Sequence, residues 1–200
     1  MKTTARGWLA FLATVLLSAL AACGPGKRSD FKATDITGSD FGHKLELTDH
    51  NGVHRTLADF RGKVVVLFFG YTHCPEVCPT TLSDMAAAVK LLTPDEAKRV
   101  QVLFVTVDPE RDTPKMLSEY VPYFNPTFLG LYGTPAQTAA AAREFHIFYQ
   151  KHKEAGPIGY LVDHTAGSYV LDPKGRLRLY QPYAEPPADI AHDLKLLLAE

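Results

Sequence analysis

Cysteine is scarce in this chain, with three in 200 residues, too few for a domain built on disulfides. An excess of one charge is missing as well. Twenty-one basic residues stand against 22 acidic ones, a formal net charge of −1, so no basic field exists to hold nucleic acid. No apolar run reaches the ~20 residues a membrane-spanning helix needs, and there is no internal repeat, which excludes a polytopic membrane protein and a repeat array. Hydrophobic residues at 46% and charged residues at 22% exclude a disordered tail and a collagen-like chain. The length suits one domain plus a shorter extra segment.

That extra segment is N-terminal. Lys2 and Arg6 precede an apolar run from Trp8 to Leu20, the pattern of a secretory signal. The run ends in Leu20-Ala21-Ala22-Cys23-Gly24, small residues before one cysteine, which resembles a bacterial lipobox. Residues 1–22 are therefore expected to be a lipoprotein signal peptide and Cys23 the lipidation site. The other reading is an uncleaved signal anchor, which leaves the fold on the same side of the membrane. Residues 23–40 are then the lipidated cysteine and tether, and the domain is expected over 41–200, anchored by lipid outside the cytoplasm, on the periplasmic side. Without Lys2 and Arg6, 19 bases face 22 acids, a net −3. Gly26-Lys27 lacks the glycine spacing and hydroxyl residue of a phosphate loop.

Within the mature chain, Phe41 to Thr56 reads as an N-terminal β-hairpin turning at Asn51-Gly52. Val64-Val65-Val66-Leu67-Phe68-Phe69 is a strand buried on both faces, and Leu82, Met85, Ala86 and Val89 follow with helical spacing. Val102 to Val107 is a second buried strand, and Thr113-Pro114 and Thr134-Pro135 each open a helix. His146 to Gln150 reads as a short strand, 168–172 and 176–181 as a hairpin, and Ile190, Leu194, Leu197 and Leu198 as one face of a closing helix. This alternation indicates one α/β domain with a mixed central sheet flanked by helices.

In open α/β sheets, ligands bind beyond the carboxyl ends of the parallel strands. Cys74 and Cys78 follow the first buried strand and Asp108 and Asp112 the second, while a loop carrying Asp163-His164 is expected to reach the same edge. With Cys23 taken by lipid, Cys74 and Cys78 are the two remaining thiols. Their spacing sets the Cβ atoms roughly 5–6 Å apart if both lie on one helix. That separation permits a disulfide or shared ligation of a metal. Two thiolates with one imidazole suit Cu(I), and additional nitrogen admits Cu(II). Zinc normally asks for a fourth ligand.

Three separated motifs then resemble the Sco/SenC copper chaperones: Phe69-Gly70-Tyr71-Thr72-His73-Cys74-Pro75-Glu76-Val77-Cys78-Pro79, Val107-Asp108-Pro109-Glu110-Arg111-Asp112-Thr113-Pro114, and Val162-Asp163-His164-Thr165 ahead of Tyr169-Val170-Leu171-Asp172-Pro173. The resemblance implies a thioredoxin-like fold and one copper per chain, held by Cys74, Cys78 and His164. It implies maturation of the dinuclear copper centre in cytochrome c oxidase subunit II, by copper transfer, by reduction of the target cysteines, or by both. The partner is then that subunit or a similar copper protein. Such a chain is a carrier rather than an enzyme, and a monomer is expected.

The alternatives are an extracytoplasmic thiol–disulfide oxidoreductase using Cys74 and Cys78 as its redox pair, and, further off, a peroxide-reducing thiol protein or redox sensor. Asp108 and Asp112, as hard oxygen donors, are expected to be structural or partner-facing rather than ligands of a soft ion. Asp163 is a candidate to orient the His164 ring. His73 is too close to Cys74 in sequence to close easily on the same ion, and His50 and His54 read as solvated hairpin residues. Tyr71 and Phe69 are expected to pack around the site, and Tyr120, Tyr123, Phe124 and Phe128 to be core or loop packing.

Overall fold

The structure is a computed structural model that describes residues 30–153 and 159–200. The expected signal peptide (residues 1–22), the expected lipidation site Cys23 and the Gly24–Ser29 stretch lie outside the described residues. In chain order the described residues form strands β1 (Thr34–Asp35), β2 (Glu46–Asp49), β3 (His54–Thr56), β4 (Val64–Gly70), β5 (Val100–Thr106), β6 (Leu129–Tyr132), β7 (Tyr149–Lys153), β8 (Tyr160–His164), β9 (Ser168–Leu171) and β10 (Leu177–Gln181). The helices are α1 (Val77–Lys90), α2 (Pro94–Lys98), α3 (Pro114–Phe124), α4 (Pro135–Glu144) and α5 (Pro187–Leu198), with a 3-10 turn at Leu57–Phe60.

Eight strands make one sheet in the order β1-β10-β9-β4-β5-β6-β2-β3. β4 and β5 are its centre: every residue of both is buried, as their predominantly apolar sequences require. They pair in parallel, Val66 beside Val102 and Phe68 beside Phe104, and β6 adds in parallel to β5. The remaining pairs are antiparallel. Phe68 and Phe104 are neighbours on one face (ring centroids 6.0 Å), where Phe104 meets Tyr120 of α3. Alternation sends Phe69 to the other face, against Phe145 after α4 (5.7 Å). Burying rings of this size stabilises the fold by about 2–3 kcal/mol each.

Three Thr-Pro pairs start helices. The hydroxyls of Thr93, Thr113 and Thr134 accept from the backbone N–H three residues on, at Glu96, Met116 and Gln137, and proline takes the first turn, where its missing N–H is harmless.

Several expectations are corrected. The Asn51-Gly52 hairpin forms, but β2 also pairs with β6 (Thr48 beside Tyr132), so it is the edge of the main sheet and not an extension. The packed unit runs from Phe31, because β1 pairs with β10 and the buried Asp193 carboxylate accepts from the Lys32 and Ala33 amides. The short strand starts at Tyr149, since His146 takes a left-handed φ of 51° that interrupts extended backbone. Asp163 and His164 lie in a strand, β8, which pairs with β7 in a separate two-stranded sheet.

Candidate metal centre

β4 ends at Gly70 and the chain turns through residues 71–76 before α1 begins at Val77. Cys74 therefore sits in the turn and Cys78 in the first helical turn, rather than both on one helix. Glu76 at the cap position makes no side-chain capping bond. The Cys74 sulfur does that work instead, accepting from the Cys78 amide at 3.4 Å. A sulfur held at a helix N-terminus is favoured as thiolate.

The two thiols are strongly unequal. Hydrogen bonding by the Cys78 thiol is the largest influence on Cys74. With the His164 side chain and the Cys78 and Glu76 amides it overcomes the opposing effect of burial and pulls Cys74 down to about 3. Cys78 is fully buried, and burial first, then its hydrogen bond to Cys74 and the charge there, pushes its thiol far up. The reduced, metal-free pair thus carries one thiolate and one thiol.

The third donor comes from β8. His164 Nδ1 lies 3.0 Å from the Thr165 carbonyl, which can only accept, so Nδ1 carries a proton and Nε2 faces the sulfurs, 3.4 Å from Cys78 Sγ. Tyr71 and Phe68 stand edge-on to the imidazole, with centroids at 5.9 and 6.0 Å. The Cys74, Cys78 and His164 donor atoms all lie within 4.8 Å of one another. A three-coordinate ion with bonds of about 2.0–2.3 Å fits such a triangle with little movement. Two sulfurs and one imidazole form a soft donor set that matches Cu(I). A shallow pocket of about 340 Å³, lined by Tyr71, Cys74, Pro75 and His164 among others, opens onto it.

Other candidates fall elsewhere. Asp112 is buried and accepts from the Thr72 amide (3.0 Å), the Thr72 hydroxyl (2.6 Å) and the Thr106 hydroxyl (2.6 Å). Burial raises its carboxyl despite those bonds. Asp108 is also buried, pairs with Arg111 and accepts from the Tyr160 hydroxyl at 2.8 Å. Neither aspartate belongs to the donor cluster.

Asp163 does not orient His164. Neighbours on a strand point to opposite faces, and Asp163 points outward to His152, 2.7 Å away. The Thr165 carbonyl holds the ring instead. His73 lies against Thr72 (Nδ1 to Oγ1 3.0 Å) and outside the cluster. His50 is not simply solvated, since its half-buried Nδ1 accepts from the Gly130 amide at 3.0 Å. The ring beside the site is Phe68, not Phe69, again because of strand alternation. Phe128 is core, whereas Tyr123 is 83% exposed and borders a groove of about 710 Å³ with His73, Pro79, Met116 and Phe124. Sequence reasoning missed Tyr160 and Lys151 as neighbours of the site, since nothing in their local pattern marks them; Arg111 stands within the second motif, which gives it no role at the site.

A mixed α/β sheet of this order, with a dithiol and an imidazole gathered at the carboxyl end of its parallel strands, defines a thioredoxin-like protein with a soft-metal site. The SCO1/SenC family model matches residues 33–199, and the chain belongs to that family. It is 38% identical over 156 residues to the mitochondrial SCO2 homolog of Bos taurus, covering 78% of this chain and 59% of that protein. It thus spans about three-fifths of the length of the curated relatives it matches. Among solved structures, copper-bound ScoI of Bradyrhizobium japonicum is 37% identical, with a TM-score of 0.71 over 78% of this chain and 98% of that one. Apo Sco1 of Thermus thermophilus is 40% identical, with a TM-score of 0.74 over 88% and 100%.

Proposed function

We propose that this chain is a copper carrier that assists assembly of the dinuclear copper centre of cytochrome c oxidase subunit II, or of a similar copper protein. The observation that carries this reading is the donor triangle of Cys74, Cys78 and His164 within 4.8 Å. It is supported by family membership and by a relative whose structure holds copper. Copper is the cargo, one ion per chain. Cys74 already offers a thiolate, and Cys78 releases its proton as Cu(I) binds. An acceptor thiolate enters from the Cys74 side, where the pocket opens, and displaces the three ligands one at a time. With nitrogen from His164 in the set, Cu(II) is accepted as well. Lipidation at Cys23 tethers a monomer to the outer side of the membrane, a reading supported by the Leu20-Ala21-Ala22-Cys23 sequence.

One observation favours a second activity at the same site. A partly buried thiolate beside a fully buried thiol is the arrangement of an attacking and a resolving cysteine. Cys74 attacks a client disulfide and releases one client thiolate. Cys78, once deprotonated, then attacks Cys74 Sγ, forming the Cys74–Cys78 disulfide and freeing the second client thiol. The client gains the two electrons that the pair loses.

The test is anaerobic loading of the reduced protein with Cu(I) against a competing chelator, for wild type, His164→Ala and Cys74→Ser/Cys78→Ser. One copper per chain, weakened without His164 and lost without the thiols, is expected. Equal retention by His164→Ala removes the three-ligand reading and leaves the redox pair.

A further inference from the structure

The ligands reach the site on two segments with unequal support. The cysteines follow β4, at the centre of the main sheet. His164 ends β8, which has no place in that sheet and pairs only with β7 among the described residues. Past His164, the chain rejoins the main sheet at Ser168, beside Phe68. The other end of β8, about 13 Å away at ~3.3 Å per residue, needs a separate anchor if the imidazole is to stay 3.4 Å from Cys78.

We infer that the β5–α3 loop, residues 107–113, is a clamp that sets the gap between thiols and imidazole, with Arg111 and Tyr160 as positioning residues for His164. This rests on the copper-site reading above. Tyr160, Val162 and His164 share one face of β8 by the two-residue period of a strand, and Val162 between them is buried. The anchor on Tyr160 therefore also decides where His164 points.

Four contacts converge on Tyr160 from the loop and from β7. The Arg111 guanidinium lies 3.6 Å above the ring centroid. Arg111 Nη1 donates to the Tyr160 carbonyl at 2.9 Å. The Tyr160 hydroxyl donates to Asp108 Oδ1 at 2.8 Å. Lys151 Nζ, on β7, lies 4.9 Å above the same ring and bonds Glu110 at 2.7 Å. Arg111 Nε pairs with Asp108 Oδ2, so the loop side of the anchor is itself closed.

The other end of the same loop grips the cysteine turn. Asp112 holds both the amide and the hydroxyl of Thr72, two residues before Cys74, and ties them to Thr106 at the end of β5. Thr106 in turn accepts from the Asp108 amide at 2.9 Å. One short segment thus has a carboxylate for each ligand-bearing arm: Asp112 for the thiols and, through Arg111 and Tyr160, Asp108 for the imidazole. A charge-assisted network of this kind holds geometry more rigidly than apolar contact does.

The test is a double-mutant cycle on the full-length protein in detergent, using Cu(I) alone as the probe. Tyr160→Leu removes the ring and hydroxyl while leaving the Asp108–Arg111 pair intact. It is expected to weaken Cu(I) binding about tenfold, the lower range for partners that orient a metal ligand, and to do nothing further in a His164→Ala background. X-ray absorption is expected to show two sulfurs and one nitrogen on copper in wild type, with the nitrogen depleted in Tyr160→Leu. Tyr160→Phe keeps the ring under Arg111 and is expected to restore most of the affinity; if Tyr160→Leu fails to fold, its smaller loss is followed through the same cycle. Equal loss in both backgrounds, or none in either, overturns the clamp. If His164→Ala alone leaves affinity unchanged, the copper-site reading falls and the clamp with it. If His164→Ala weakens binding and Tyr160→Leu does not, the clamp alone is wrong.

Discussion

Gly70→Ala is a stringent perturbation, because it adds one methyl at the point where the sheet meets the metal centre. A Cβ at Gly70 falls 2.8 Å from Cys78 Sγ, 2.9 Å from Phe104 Cε2 and 3.1 Å from Phe68 Cε1, against 3.4–4 Å for ordinary contact. The sulfur must retreat by at least 0.6 Å to go from 2.8 to 3.4 Å. It hangs from a single torsion in the first turn of α1, so it leaves its place opposite His164 Nε2. Two fully buried rings crowd the remaining space, so relief elsewhere is limited. Overpacking of this kind costs about 1–3 kcal/mol. In a domain of this size, 1 kcal/mol lowers the melting temperature by about 2–4 °C, for an expected drop of ~2–12 °C. Cu(I) affinity is expected to fall about tenfold as the ligand triangle opens. Thermal unfolding of the reduced apo-protein, followed by near-UV circular dichroism, reads the first effect and chelator competition the second. In a Cys78→Ala background the stability cost should shrink, since the nearest clashing atom is gone. A Gly70→Ala protein that melts with wild type and binds copper as tightly refutes the reasoning.

Other predictions rest on independent features. Cys74 is thiolate above about pH 3 while Cys78 stays protonated, so iodoacetamide at pH 5 should label Cys74 alone in the reduced apo-protein. Peptide mass spectrometry checks this, and equal labelling of both contradicts the asymmetry. Glu185 is buried, and burial followed by the charges of Asp193 and Asp189 pushes its carboxyl up to about 7. The folded state then keeps a proton that the unfolded state releases near pH 4.5, so stability is lost as pH rises from about 4.5 to 7. Glu185→Gln should flatten that fall and stabilise the protein at pH 8 by on the order of 1–3 kcal/mol, with little effect at pH 4, as denaturant titrations at the two pH values would reveal. Asp193→Ala removes the acceptor of the Lys32 and Ala33 amides. It should cost about 1–3 kcal/mol and speed hydrogen exchange in β1 and its partner β10; unchanged exchange there would contradict the anchoring role.

The amino-acid order alone determined the centre of this protein. Apolar runs, unbroken in β4 and interrupted in β5 only by Gln101 and Thr106, mark both strands, because a strand covered on both faces admits a polar side chain only where it finds a hydrogen-bond partner. Thr-Pro pairs mark the starts of α3 and α4 because cap and first turn are local chemistry. The Cys74-x-x-x-Cys78 spacing and the separated His164 were legible as candidate metal donors, which the fold brings within 4.8 Å of one another, since donor softness belongs to residue type. Tertiary structure decided what depends on partners distant in the chain. The pairing of β2 with β6, the docking of β1 and the separate β7–β8 sheet are fixed by ladders between remote segments, for which periodicity carries no record. The direction of Asp163 followed from strand parity once β8 was a strand. The inequality of the two thiols arose from burial and hydrogen bonding around them. Arg111 became a neighbour of Tyr160 because the β5–α3 loop lies against the β7–β8 hairpin, so that its side chain reaches a carbonyl 49 residues away in sequence.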